Sequence, residues 1–417
     1  MSEFRTLAVC HECDWVADMP HLQEGEAALC PRCEHRLCER RSVGTQSEIA
    51  WGVGALFMLV LAMSFEFISF STSGISHSIV FADTALALFN YDYAFLGALV
   101  FATTVFLPAL YLLIILYIDT GLALKRELPG MGALALLLRP IAPWIMSDVF
   151  IIGVLVSLVK IVTLADIHIG PSFLAFCAYA VLMLRTIAGF DPEQLWDRIA
   201  GNTELPTHVR AGQPAQAQGV TDCSACGVLF EFTESRRCPR CGNRHVSFGM
   251  NRLQITWALL ATATLLMIPA NVYPILSTLS FGSADKQTIV GGAWYLAQHG
   301  SMPIAIIIFV ASVVIPISKI IALGWLCIKA QARNVDDHHE KMQLYRLTEI
   351  IGRWSMIDVF VVAVLAALVQ AGVFITITPG PAAVYFSGVV ITTMIAAMTF
   401  DTRLLWQDGP SAESVPT

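Results

Sequence analysis

The sequence predicts an all-α integral membrane protein: a tandem parallel repeat of four transmembrane helices, each set of four preceded by a small cysteine-rich module. Three observations carry this. The 417 residues are 56% hydrophobic and 14% charged, with a mean hydropathy of +0.66, which is too apolar for a soluble chain. Two Cys-x2-Cys pairs precede a long apolar block, and the whole pattern then occurs again. At an offset of 210 residues, Trp144, Met146, Asp148, Val149 and Phe150 return as Trp354, Met356, Asp358, Val359 and Phe360, and 17 of the 54 positions from 144 to 197 match their partners. Composition alone would give about four or five matches, so the chain is an internal duplication.

Taken in order, residues 1–45 form the first cysteine module, 46–197 the first four-span block, and 198–219 a linker. Residues 220–248 form the second module, 249–408 the second four-span block, and 409–417 a disordered tail. Eight apolar runs approach or exceed the ~20 residues that cross a bilayer: 49–70, 95–118, 144–164, 171–190, 253–276, 303–328, 354–377 and 381–400. The first follows a cysteine-rich segment, so it does not read as a cleavable signal peptide. An even number of spans per half gives both copies the same orientation, unlike the inverted repeats of many transporters. The linker, rich in Ala, Gly, Gln and Pro with no apolar period, reads as flexible. The connections 71–94 and 277–302 carry Ser, Thr and β-branched residues suited to short strands. By contrast 165–170 and its partner read as tight turns before Gly-Pro, and 119–143 and 329–353 as long loops.

All Lys and Arg except Lys160, Lys286 and Lys319 fall in the tails, the linker, those two long loops or the span ends that touch them. The positive-inside rule therefore sets both termini and the linker in the cytoplasm. A net charge of −7 argues against nucleic acid as a ligand.

Eight of eleven cysteines lie in Cys-x2-Cys pairs on the reduced side, where thiols bind metal instead of pairing. Cys10, Cys13, Cys30 and Cys33 make one quartet, and Cys223, Cys226, Cys238 and Cys241 a tighter one. Each ends in Cys-Pro-Arg-Cys. Four thiolates from two knuckles suit tetrahedral zinc at ~2.3 Å. A segment this short cannot bury a core of its own, and structural zinc supplies ~10–16 kcal/mol of apparent binding energy. A rubredoxin-like iron site and redox-active dithiols are the alternatives. With all four positions filled by protein, the ion is structural, not catalytic. Cys38, Cys177 and Cys327 read as incidental buried thiols.

Within the spans Lys319 stands out, since an ionised Lys at depth costs ~2.5–3.5 kcal/mol or more unless paired or hydrated. Pro316 and Ser318 adjoin it, Asp358 and its repeat mate Asp148 are candidate counter-ions, and Lys160 lies twelve residues beyond Asp148. Alternatively, the two aspartates merely pair with loop arginines such as Arg353. Pro316 and its mate Pro108, with Pro269, Asn271 and Pro274, are candidate helix breaks or gates, although prolines also kink membrane helices without function. Glu66 stands where the second copy has Pro274. No Gly-x4-Gly-Lys-Ser/Thr loop, mid-span histidine or nucleophile elbow occurs, which removes ATPase, haem and serine-hydrolase readings. The chain reads as a non-enzyme.

A cysteine module plus four spans, duplicated, resembles the paraquat-inducible protein A family, whose branches include the LetA-like proteins. The matching marks are Cys-Pro-Arg-Cys at 30–33 and 238–241, Pro269-Ala270-Asn271, Pro316 followed by Lys319, 353–358 (Arg-Trp-Ser-Met-Ile-Asp), and Phe400-Asp401-x-Arg403-Leu404-x-Trp406. They cover essentially the whole chain and stand closer to the paraquat-inducible branch. Glu66 departs from the proline the family pattern carries. The resemblance implies an inner-membrane component of a lipid-trafficking system, moving phospholipid or a related lipid, with a periplasmic MCE-domain protein as its partner and conduit. It also implies a central polar network at Lys160, Lys319 and Asp358. An acidic group expected shortly after Lys160 is absent, since Ile161-Val162-Thr163 follow. The rival readings are a membrane redox protein with iron in the cysteine sites and a non-transporting anchor of the periplasmic partner.

Overall fold

The computed structural model describes residues 7–20, 22–23, 25–39, 45–72, 75–90, 93–126, 128–161, 166–190, 192–201, 208–231, 237–244, 250–280, 283–298, 302–332, 338–368 and 375–406. The first module is two hairpins, β1 (Leu7–Val9) with β2 (Val16–Asp18) and β3 (Ala27–Leu29) with β4 (Arg36–Glu39). The first apolar half then runs α1 (Thr45–Ser64), β5 (Glu66–Thr72), β6 (Ile75–Val80), α2 (Asp83–Asn90), α3 (Ala94–Phe101), a π-helical turn (Ala102–Phe106), α4 (Leu107–Ala123), α5 (Met131–Ile141), α6 (Ser147–Ile161), β7 (Asp166–Ile169), α7 (Pro171–Gly189) and α8 (Pro192–Ala200). The second module contributes β8 (Val220–Asp222) and β9 (Leu229–Glu231). The second half repeats the order: α9 (Met250–Val272), β10 (Leu276–Ser280), β11 (Ser283–Gln287), α10 (Ile289–Gln298), α11 (Met302–Phe309), a π turn (Val310–Val314), α12 (Ile315–Ala332), α13 (His338–Trp354), α14 (Ile357–Leu368), β12 (Ile375–Pro379), α15 (Ala382–Thr399) and a 3-10 turn (Thr402–Trp406).

Seven helical stretches among the described residues are long and apolar enough to cross a membrane: Gln46–Ser64, Ala94–Ala123, Met131–Leu158, Pro171–Gly189, Asn251–Val272, Ala305–Ala332 and Ala382–Thr399. The seventh expected span, 354–377, contains the shorter α14, and residues 369–374 lie outside the described set.

Several expectations change. The segments at 165–170 and 375–380 read as tight turns, yet β7 and β12 each complete a three-stranded antiparallel sheet, in the orders β6-β5-β7 and β11-β10-β12. The following glycines explain why Gly-Pro recurs. A Cβ on Gly170 would lie 2.1 Å from the Glu66 carbonyl oxygen, and one on Gly380 2.1 Å from that of Pro274. Only glycine lets the backbones approach so closely. The two long loops hold helices α5 and α13. In α13 the buried Lys341, Met342, Thr348 and Gly352 recur at helical spacing along one face. The linker read as flexible is fastened over 212–216. Gly212 N–H donates to Val16 O (2.9 Å), Val16 N–H to Gln213 O (3.0 Å), and Ala215 N–H to Asp14 O (2.8 Å), so it covers the edge of β2. Residues 202–207 and the tail read as disordered, 409–417, lie outside the described residues.

Both π turns precede a proline. Leu107 N–H bonds to Ala102 O and Ile315 N–H to Val310 O, five residues back in each case. Pro108 and Pro316 follow at once and offer no N–H. The wider turn makes room for a ring that would strike the carbonyl four residues earlier.

The halves meet where α6 packs on α14. Phe150 and its repeat mate Phe360 stack edge to face at 5.4 Å, and Phe150 in turn packs on Phe81 and Phe176 at 5.3 Å each. Residues 359–366 of α14 are all buried. Close approach depends on Gly153, where a Cβ would lie 2.8 Å from Phe360 Cβ, and small residues are what lets helices pack this way in a membrane. Gly153→Leu should therefore overpack the interface by about 1–3 kcal/mol. A thermal melt of the purified protein should move down by several degrees, and an unchanged melt would remove Gly153 from the interface.

Candidate metal centres and polar network

The four sulfurs of each quartet lie within 4.8 Å of one another. Cys10–Cys33 are 3.4 Å apart and Cys13–Cys30 3.5 Å, while Cys223–Cys241 and Cys226–Cys238 are 3.5 Å apart. Tetrahedral bonds of ~2.3 Å separate sulfurs by about 3.8 Å, so the donor sets fit one ion each. No disulfide forms among the cysteines. Each knuckle has the same backbone closure. In the first module Cys10 N–H donates to Trp15 O and Asp14 N–H to Cys10 O; in the second, Cys223 N–H donates to Val228 O and Gly227 N–H to Cys223 O. That turn needs a left-handed residue after the second cysteine. Gly227 (φ 65°) and Gly242 (φ 69°) supply it in one module, Asp14 (φ 61°) and Glu34 (φ 59°) in the other. The arginine of each Cys-Pro-Arg-Cys crosses to the opposite knuckle: Arg32 Nη1 donates to Cys13 O and Arg240 Nη1 to Cys226 O, both at 3.4 Å.

The modules dock crosswise. The first quartet packs with Leu253, Leu323, Met342 and Trp406 of the second half, and the Arg32 guanidinium lies 4.8 Å over the Trp406 ring. Arg346 Nη2 bonds Glu12 Oε2 at 2.5 Å and Cys33 O at 3.0 Å. Cysteines of the second quartet pack with the first half, including Trp196, and Arg240 pairs with Asp197 at 2.5 Å. Arg403 joins the two modules. It donates to His11 O (3.0 Å), to Asp14 Oδ1 (3.2 Å) and to Asp222 Oδ1 (2.6 Å), while His11 pairs with the other oxygen of Asp222. Burial would raise the Asp222 carboxyl, but His11 and Arg403 outweigh it and hold Asp222 well below the ordinary range. Burial also works against the Arg403 charge, and Asp222, Asp14 and Asp401 more than restore it.

In the apolar halves, Lys319 is buried in α12 with its ammonium against Gly352 of α13, where a Cβ would come within 2.6 Å of Nζ. Asp358 is buried in the first turn of α14. Among the described residues no ion pair joins Lys319 to Asp358. Asp148 instead lies 3.5 Å from Arg353 Nη2, the arginine pairing read as the alternative. Lys160 falls in α6, but its side chain lies outside the described residues. Ser318 is exposed and bonds back to Ile315 O at 2.9 Å. Pro269 interrupts α9, Asn271 Nδ2 bonds Met267 O at 2.9 Å, and Pro274 stands between the end of α9 and β10. Glu66 is exposed.

The model of the Paraquat-inducible protein A family matches twice, over residues 45–200 and 253–409. The chain belongs to the paraquat-inducible protein A family. It is similar to "Intermembrane transport protein PqiA" of Escherichia coli (strain K12), 38% identical over 405 residues, 97% of this chain and 96% of that one. It is also similar to "Lipophilic envelope-spanning tunnel protein A" of the same organism, 27% identical over 408 residues, 97% and 92%. A "Probable intermembrane transport protein" of Haemophilus influenzae is 28% identical over 408 residues, 95% of each. No solved structure matches.

Two of the marks that carried the resemblance to the paraquat-inducible family, Cys-Pro-Arg-Cys and Phe400-Asp401-x-Arg403-Leu404-x-Trp406, lie where the modules dock. Sequence reading missed Arg403, Asp14 and Asp222 as a unit. The one available signal was that Asp14 and Asp222 flank metal-ligand cysteines.

Two predictions follow from this geometry. Glu34→Gly should relax a left-handed strain and stabilise the first module by about 0.5–1 kcal/mol, read as slower loss of metal to a chelator. Arg403→Gln leaves Asp222 buried with a weaker partner and should cost about 3–5 kcal/mol. Both modules should then lose metal faster, and loss confined to one would show that Arg403 does not join them.

Proposed function

We infer that this protein is the inner-membrane component of an intermembrane lipid transport system, loading lipid onto, or extracting it from, a periplasmic MCE-domain conduit, and that it is not an enzyme. The observation that carries the reading is end-to-end similarity to proteins named for intermembrane transport, on an apolar helical body with seven membrane-length helices among the described residues. The twofold match of one family model and the doubled element order support a parallel pair of four-span blocks. The distribution of cations supports cytoplasmic termini and modules. The all-thiolate quartets support structural zinc, which would fold and hold the modules and leave no open position for substrate.

Lys319 of α12 is proposed as the polar centre of transport, with Asp358 of α14 and Lys160 of α6. A cation buried at this depth is maintained at a cost, and Gly352 leaves its ammonium the space that a side chain would take.

Lipid transfer from proteoliposomes to the purified periplasmic partner tests the role. Lys319→Met keeps the side chain's length and should reduce transfer at least tenfold, with assembly and a zinc content of two per chain unchanged. Wild-type transfer by this variant would end the role for Lys319, and absence of transfer by the unmodified protein would end the transport reading. Iron instead of zinc would favour the redox reading. Introduced cysteines at Ser283 and Gly212 test the topology: an impermeant reagent should label position 283 and not 212 in intact cells.

A further inference from the structure

The two quartets share their turn chemistry but not their enclosure. Cys10, Cys13, Cys30 and Cys33 are each at most 1% exposed. In the second quartet Cys223, Cys226 and Cys238 are buried, and Cys241 alone is partly open to solvent.

The last cysteine of each quartet is also held differently. Cys33 follows Arg32, whose guanidinium lies between the Trp15 and Trp406 rings, 5.0 and 4.8 Å from their centres. The Cys33 carbonyl accepts from Arg346 Nη2 at 3.0 Å. Its knuckle continues into the pairing of β3 with β4, where Ala27 faces Glu39, Ala28 faces Cys38 and Leu29 faces Arg36. Beyond its turn, the described residues of the Cys238–Cys241 knuckle add a single bridge, Arg237 with Arg244. Gly242 (φ 69°) follows Cys241 where Glu34 (φ 59°) follows Cys33, and glycine gains the most backbone freedom when a turn opens.

Arg240 ties this looser cysteine to the membrane body. Its side chain is 1% exposed, pairs with Asp197 of α8 at 2.5 Å and reaches Cys226 O at 3.4 Å. Its buried Nε has no hydrogen-bond partner among the described residues. A buried donor without an acceptor works against the docked position. Arg240 and Cys241 are neighbours in the chain, so a movement of one is a movement of the other.

The reactivity of a metal-binding thiolate follows the access that other reagents have to it. We propose that the second quartet is a metal-exchange site that opens through Cys241, and that its opening releases the second module from α8 while the first quartet stays closed. Cys241 gives up its place to an incoming soft sulfur or nitrogen donor and takes up a proton, with no change of oxidation state. The inference rests on the zinc reading above and assigns the two sites different roles: one holds the fold, the other responds to the supply of metal and of competing ligands.

The unmodified protein, purified in detergent with its metal, is treated with 4-(2-pyridylazo)resorcinol and N-ethylmaleimide together. The colour of the chelator reports released zinc, and peptide mass spectrometry reports alkylation. One zinc per chain should leave at least tenfold faster than the other. Cys241 should be alkylated first, then Cys223, Cys226 and Cys238, with the first quartet unmodified until the slow phase. Hydrogen exchange over α8 should rise with the fast phase, and over α13 only with the slow one. Arg240→Gln removes the tie and spares all four thiols, so it should speed the fast phase at least threefold and leave the slow phase unchanged. A single rate for both ions, a fast phase that alkylates the first quartet, α8 exchange indifferent to the fast phase, or a wild-type fast phase in Arg240→Gln would each overturn the proposal. Protein purified without metal would remove the zinc reading and this inference with it, whereas two ions leaving together would remove this inference alone.

Discussion

The thiolate quartets are the constraint on which the module end of the structure depends. Among the described residues each module has short two-stranded hairpins and a few buried side chains besides its cysteines, too little apolar surface to offset chain entropy. Bringing four thiols to within 4.8 Å is unfavourable until a cation takes up their charge. With an ion in each quartet, as proposed, the knuckle carbonyls would become fixed acceptors on which the arginines of the membrane body build. Arg346 reads Cys33 O, and Arg403 reads His11 O. Loss of metal would therefore be felt by residues hundreds of positions away in sequence.

Inside the apolar body, backbone shape is governed by what lipid cannot supply. A proline in a spanning helix leaves a carbonyl without its donor, and no water stands ready to replace it. The π turns before Pro108 and Pro316 are one answer. Another is visible at Met146 N–H, which reaches the Thr103 carbonyl at 3.5 Å. The glycines at 153, 170 and 380 solve the complementary problem of bringing two backbones together where no side chain fits.

How much of this was legible varies with the kind of signal. Local chemistry read well: spacing found both quartets, and apolar runs located the long helices. Strand-forming composition found β6, β10 and β11, whereas β5 (Glu66–Thr72) lies mostly in the stretch 49–70 read as a membrane span, of which α1 covers the part up to Ser64. Where several contacts share one segment the reading failed. The stretch before Gly170 looks like a turn because its pairing partner lies about a hundred residues earlier, in β5. Residues 212–216 look like a linker because their hydrogen bonds go to β2, far back in the sequence. Lys319 is buried in α12. Burial cost says that a charge needs accommodation but not by what, and Gly352, which accommodates it, carries no charge to notice. Crosswise docking has no local signature at all.

That crosswise docking has a consequence for where such a chain comes from. Remove the second half, and the first module loses its packing with Leu253, Leu323, Met342 and Trp406, while the first apolar half loses the cover it receives from residues 220–231 and 237–244. In a single-copy chain, a second copy lending its cysteine module could meet both needs. Joining the two copies in one chain retains the exchange and frees the two halves to diverge. Tyr111 and Lys319, descended from one position, are the record of that freedom.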